Sequence, residues 1–172
     1  MNPQSMVMQR SSSADAAAVR ALYEGFLEGW NRGDAYALAS VFAENGDLVA
    51  FDGTHLKGRR TIAEFHQPLL ETRLRGTRLV GRVTSLRLLG ADVVLLHALC
   101  GTAMRGRNAP SPALDCVQTL VADKRNGLWC IAALHATRVR PTATGNLLGS
   151  FFDRLWTVLR PRKSARRLPG SA

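Results

Sequence analysis

Four strand-like runs follow one another between residues 77 and 138, at roughly 77–88, 92–104, 113–124 and 128–138. Three short connections separate them, "GAD", "RGRNAPSP" and "KRNG". Asn126-Gly127 lies between the last two runs, and this dipeptide accepts the positive φ angles of a tight hairpin turn. Helix-type periodicity is confined to the residues before this block and to a short stretch after it. Runs of helices followed by runs of strands define an α+β domain, with the helices on one face of an antiparallel sheet. A sheet of this kind, strongly curved, leaves a cone between itself and the helices.

The first half supplies the helices. Val19, Leu22, Tyr23, Phe26, Leu27 and Trp30 recur at three- and four-residue steps and form one apolar stripe. The serines at 11–13 are candidate N-caps for this helix, and residues 1–11 are expected to be disordered. "NRGD" closes it, with Gly33 just past the end and Asp34 as the next N-cap. "AYALASVFA" reads as a short second helix, "DLVAF" as a short strand and "DGTHLKG" as a loop. "RRTIAEFHQPLLETRL" reads as a third helix with Ile62, Phe65 and His66 on one side. Pro68 cannot donate to its ladder and predicts a kink or break.

At 172 residues and 46% apolar composition, the chain suits one domain with a real core. Residues 12–140 are assigned to it and 141–172 to an appendage. In the appendage, "GNLLGSFFDRLWTVLR" reads as an extra C-terminal amphipathic helix, followed by a basic tail. From Arg138 onward eight basic residues face one acid, so +7 of the net +10 belongs to that end. The charge therefore says little about what the main domain binds, and nucleic acid is not an expected partner. The C-terminal helix could meet an anionic membrane or pack on the domain, and packing is favoured. No apolar run approaches the ~20 residues of a membrane span, and the first ten residues lack a signal-type h-region, which favours the cytoplasm. Cys100, Cys116 and Cys130 lie in apolar strand-like stretches without metal-type spacing and read as reduced core thiols.

Four segments carry a family resemblance: "WNRGD" between two helices, "FAENGDL" leading into the first strand, "GRRTIAEFH" opening the third helix and "NGLWCIAALHATR" as the last hairpin strand. Their order and spacing resemble the nuclear-transport-factor-2-like superfamily, with its SnoaL-like cyclases and ketosteroid isomerase, and most of all the SgcJ/EcaC-type subgroup. The resemblance covers about residues 13–138. It implies a cone-shaped α+β fold with an apolar cavity, a dimer through the sheet and no cofactor. Activities in the superfamily include isomerases, cyclases and dehydratases beside many non-enzymes, so the fold does not fix the function.

Ketosteroid isomerase chemistry needs an Asp base and an oxyanion hole of a Tyr and a protonated Asp. Matching the segments without a gap puts the base on Ala50, the Tyr on Phe26 and the protonated Asp near Gln118. All three roles are empty or altered. Asp52, two residues from Ala50, is the nearest carboxylate for a shifted base. The other candidates are imidazoles: His66 on the third helix, His97 in "VVLLHALCGT" and His135 in "WCIAALHATR". SnoaL-like proteins resemble this last strand, with a His six residues after the Trp. By strand parity His135 shares a face with Trp129, Ile131 and Ala133, which places it on the inner wall, and His97 is expected to line the same pocket. A neutral imidazole there serves either as acid or base, or as a hydrogen-bonded wall residue. The catalytic candidates are thus His135, His97 and Asp52, and the pocket candidates Trp30, Phe51, His66, Gln118 and Arg138. Without HxH or HExxH spacing, no metal site is expected.

Two function classes fit. One is a binder of, or enzyme acting on, a small apolar molecule in the cone. The other is a non-catalytic dimerisation or interaction module. The second finds support in the run 92–104, where Val93, Leu95 and Leu99 on one face and Val94, Leu96, Ala98 and Cys100 on the other are all apolar. A sheet with solvent on one side should alternate, so something must cover the second face.

Overall fold

The computed structural model describes residues 3–107 and 109–139, with side chains from Ser13 onward. The C-terminal helix and basic tail expected over 141–172 lie outside the described residues.

Helix α1 (Pro3–Arg32) is longer than expected: residues 3–11 are helical, and the serines at 11–13 lie inside the helix instead of capping it. Its apolar stripe buries Val19, Tyr23 and Phe26, with Leu22, Leu27 and Trp30 packed beside them. The helix ends as "NRGD" predicts. Gly33 takes φ +71°, its N–H donates to the Trp30 carbonyl, and Asp34 N–H reaches back to Gly29. The Asp34 carboxylate then caps α2 (Ala35–Ser40) by accepting from Ala37 N–H at 2.9 Å.

Strand β1 (Phe42–Val49) pairs with β2 (His55–Lys57), a strand inside what reads as a loop. Helix α3 (Arg59–Glu71) passes through Pro68 without breaking, and Thr72 Oγ1 donates to the Pro68 carbonyl near its end. The four predicted strands follow as β3 (Arg78–Leu88), β4 (Val93–Ala103), β5 (Cys116–Arg125) and β6 (Leu128–Arg138). Asn126 and Gly127 both take positive φ in the β5–β6 turn, as a two-residue hairpin requires.

The six strands form one curved sheet in the order β2-β1-β6-β5-β4-β3. It is mixed: β1 lies parallel to β6, and the other pairs are antiparallel. The parallel pair is possible because α3 and four strands, β2 to β5, separate β1 from β6 along the chain. The inner face meets the helices through Leu48, Val94, Leu96, Ala98, Leu120, Ala122, Ile131 and Leu134, all buried in one core.

Two irregularities face each other across β1 and β6. Along β6, Ile131 pairs with Ala122 and Ala133 with Val121, so Ala132 is an extra residue. Opposite, β1 advances from Phe42 to Asp47 while β6 advances only from Ile131 to Ala133. Gly46 makes this possible, because a Cβ there would lie 2.7 Å from the Ile131 carbonyl oxygen.

The cone interior and an arginine-lined cleft

The extra residue at Ala132 decides where the histidines point. A bulge shifts side-chain parity by one. Before it, Trp129 and Ile131 face inward; after it, Leu134 and Ala136 do. His135 therefore stands exposed on the outer face, in register with Thr119 and Val49. His97 is on that face too, opposite Thr119 and hydrogen-bonded to Ser85 Oγ at 3.0 Å. The placement of His97 and His135 on the inner wall is thus corrected. His55 on β2 pairs with Val49, so three imidazoles share one row across the sheet.

Asp52 is corrected as well. It sits in the β1–β2 turn, where Oδ1 accepts from Thr54 N–H at 3.0 Å, and this bond lowers its pKa. A carboxylate stabilised as the anion in an exposed turn is poorly placed as an enclosed base. Phe51 is 47% exposed, and the Arg138 guanidinium lies 5.0 Å over its ring. The two form a cation–π pair on the rim and do not line the cone.

Inside the cone the polar groups are few and satisfied. Gln118 is buried, and Tyr23 Oη donates to its Oε1 at 2.7 Å. Tyr23 precedes Phe26, the position matched to an oxyanion donor, by one helical turn. Burial pushes the phenol far above its ordinary range, so it remains a protonated donor committed to Gln118. Gly81 makes room for it, since a Cβ there would meet Tyr23 Oη at 2.3 Å. Below Tyr23 lie the thiols of Cys100 and Cys116, which are directly opposed on β4 and β5. His66, also buried, donates Nδ1–H to the Ile62 carbonyl at 2.8 Å and meets the edge of Trp30 at 5.9 Å. Desolvation lowers its pKa, outweighing the hydrogen bond.

Trp30 forms the wall between His66 and an open cleft of about 590 Å³. The ends of α1 and α3, residues 74–77 and Arg105 beyond β4 build this cleft. Trp30 Nε1 donates to Thr77 Oγ1 at 3.1 Å, and Thr77 Oγ1 donates to the Leu74 carbonyl at 2.7 Å, which fixes the indole. Asn31 pairs with both backbone groups of Leu79, tying the end of α1 to β3. Arg32, Arg75 and Arg105 line the cleft, and the stem of Arg105 crosses Gly76. Among the described residues none of these arginines is in an ion pair. The one carboxylate in the lining, Glu71, accepts from Gln67 Nε2 at 2.7 Å. Three cations against one anion, with Trp30, Leu70 and Leu74 as apolar walls, suit an organic anion. Sequence reasoning found Trp30 but missed the arginines, which come from three separate segments without a shared motif.

Among the described residues no group of three or more metal-ligating side chains occurs, and no helix is long and apolar enough to cross a membrane.

No family model and no curated protein matches the chain. Solved structures do. A domain of unknown function with a cystatin-like fold from Nostoc punctiforme is 33% identical, covers 86% of this chain and 88% of its own, and has a TM-score of 0.72. An NTF2-like protein with a cystatin-like fold from Novosphingobium aromaticivorans is 14% identical, with coverages of 83% and 93% and a TM-score of 0.65. A hexachlorocyclohexane dehydrochlorinase from Novosphingobium barchaimii is 18% identical, with coverages of 80% and 97% and a TM-score of 0.65. The fold is thus the cystatin-like α+β cone. The chain belongs to the same family as the Nostoc punctiforme domain.

Proposed function

We propose that this domain binds a small organic anion with an apolar body in the cleft beside Trp30. The observation that carries the reading is the presence of Arg32, Arg75 and Arg105 around one cleft with no ion pair among the described residues. Guanidinium groups bind carboxylate and phosphate oxygens through paired hydrogen bonds, while the indole and leucines take the apolar part. The ligand class moves accordingly from a wholly apolar, polyketide-like molecule in the cone to an amphipathic anion at its edge. General acid/base catalysis loses its support, because that reading rested on inward-facing His97 and His135 and on Asp52 as a shifted base. Placement in the nuclear-transport-factor-2-like superfamily, and within it in the SgcJ/EcaC-type subgroup, is part of the proposal and rests on the four sequence segments.

The test is a thermal-shift screen of aryl and alkyl carboxylates and phosphate monoesters, followed by calorimetry at two salt concentrations. A ligand should raise the melting temperature by mass action, bind more weakly in high salt, and lose affinity in Arg105→Ala. Ligands that bind Arg105→Ala and the wild type equally would remove the cleft from consideration.

A second reading is supported by the outer face. Leu95, Val121 and Ala133 form an apolar row across β4, β5 and β6, and Leu99 and Val117 lie on the far side of the His97–Thr119–His135 row. The face suits a homodimer through the sheet, as the superfamily resemblance implies, and dimerisation is compatible with ligand binding on the other side.

A further inference from the structure

Cys100 and Cys116 are Cα partners on adjacent antiparallel strands, and both side chains point to the inner face. Opposed residues in such a pair have Cα atoms about 4.5–5.5 Å apart. A disulfide accepts Cα separations of about 4.4–6.8 Å, so the strands need not move to form one. The two thiols lie close enough to shift each other's pKa. Cys130 differs on every count: it lies elsewhere on β6, with Sγ directed at the Asp123 carboxylate and carbonyl.

We propose that Cys100 and Cys116 form a redox-modification site, a dithiol that a peroxide converts reversibly into a cross-strand disulfide. The roles of the two sulfurs are distinguishable. Cys116 opens β5 directly after the short turn Pro112–Leu114 and retains 7% exposure, whereas Cys100 is 1% exposed. A small oxidant therefore meets Cys116 first. The neighbouring Cys100 thiol lowers the Cys116 pKa, and the same interaction together with burial raises that of Cys100. Burial pushes Cys130 up to about 11, with the Asp123 carboxylate adding to the effect, which leaves it the poorer nucleophile.

The chemistry closes without further reagents. The Cys116 thiolate attacks one peroxide oxygen, the O–O bond breaks, and hydroxide leaves Cys116 as a sulfenic acid. The Cys100 sulfur then attacks the Cys116 sulfur and expels the hydroxyl group, which leaves as water with the Cys100 proton. The dithiol loses two electrons and two protons, and the peroxide is reduced to two waters. A dithiol reductant reverses the reaction by exchange. The bond would draw Cys100 away from the Tyr23 hydroxyl and fasten β4 to β5 across the connection that carries Arg105.

The experiment uses the full chain, reduced with dithiothreitol, desalted and treated with hydrogen peroxide. Alkylation under denaturing conditions counts the remaining thiols, and non-reducing peptide mapping locates any link. The expected result is one free thiol of the three, a Cys100–Cys116 peptide, and full recovery with dithiothreitol. Cys130→Ser should link as the wild type does. Cys100→Ser should stop at a Cys116 sulfenic acid that dimedone traps. The link should form faster in folded protein than in protein unfolded by urea, which tests the geometry without relying on any variant. Three thiols remaining, a link through Cys130, irreversible over-oxidation without a link, or equal rates in folded and unfolded chains would overturn the proposal.

Discussion

His97 and His135 stand on the same outer face of the sheet, two strands apart, joined in register through Thr119. A row that includes His55 thus crosses a face where Leu95, Val117 and Val121 supply apolar surface. If that face is a dimer interface, its centre tolerates no new charge. Val117 is 36% exposed and can be replaced with little effect on the protomer core. Val117→Arg should be folded but monomeric in sedimentation, against a dimeric wild type. A monomeric wild type at the highest accessible concentration would end the dimer reading.

Acid sensitivity should trace to His66. In the unfolded chain its imidazole takes up a proton near pH 6.5, whereas burial lowers the folded value. Between the two values the unfolded state carries more protons, so stability rises with pH across that window. The full contribution is present above about pH 6.5 and declines as pH falls through it. Denaturant titrations between pH 5 and 7 should show this slope in the wild type and a flatter one in His66→Gln. Identical slopes would mean that His66 protonates freely in the folded protein.

Tyr23 and Gln118 form the main polar contact across the cone. Tyr23→Phe leaves the buried Gln118 Oε1 without its donor and should cost about 1–3 kcal/mol by urea unfolding. Gly81→Ala should also destabilise, because its Cβ would lie 2.3 Å from Tyr23 Oη and 2.8 Å from Leu27 Cδ1. Overpacking of this kind costs typically about 1–3 kcal/mol. Wild-type stability in both variants would mean that this part of the cone can readjust.

Asp15 ties α1 to the far end of the sheet. Its Oδ1 accepts from Lys124 Nζ and from Trp129 Nε1, each at 2.9 Å. Asp15→Ala should cost about 1–3 kcal/mol, and Asp15→Asn should cost less because an acceptor oxygen remains for the indole. Equal losses in the two variants, measured by denaturation, would show that the charge matters and the indole bond does not.

Much of this fold was legible in the chain. The stripe through Val19, Tyr23 and Phe26, the "NRGD" junction and the Asn126-Gly127 hairpin use local chemistry, and each formed as expected. Strand β2 was missed because three residues carry too little periodicity and exist through pairing with Asp47, Leu48 and Val49. Pro68 was expected to kink or break α3; the helix continues through it without a break, with Ile62, Ala63, His66 and Leu70 of its inner side buried.

The site was less legible, and His135 shows why. Sequence alone determined that residues 128–138 form a strand, because apolar density and a tight turn are local properties. Only the tertiary structure decided which way His135 faces. Strand parity has a period of two, and one inserted residue reverses every side chain beyond it. That residue, Ala132, is defined by where neighbouring strands make their hydrogen bonds, and Gly46 lets β1 approach the Ile131 carbonyl at that point. The arginines of the cleft are a second case: Arg32, Arg75 and Arg105 meet because a helix end, a turn and the end of a strand converge, and no spacing in the chain encodes that meeting.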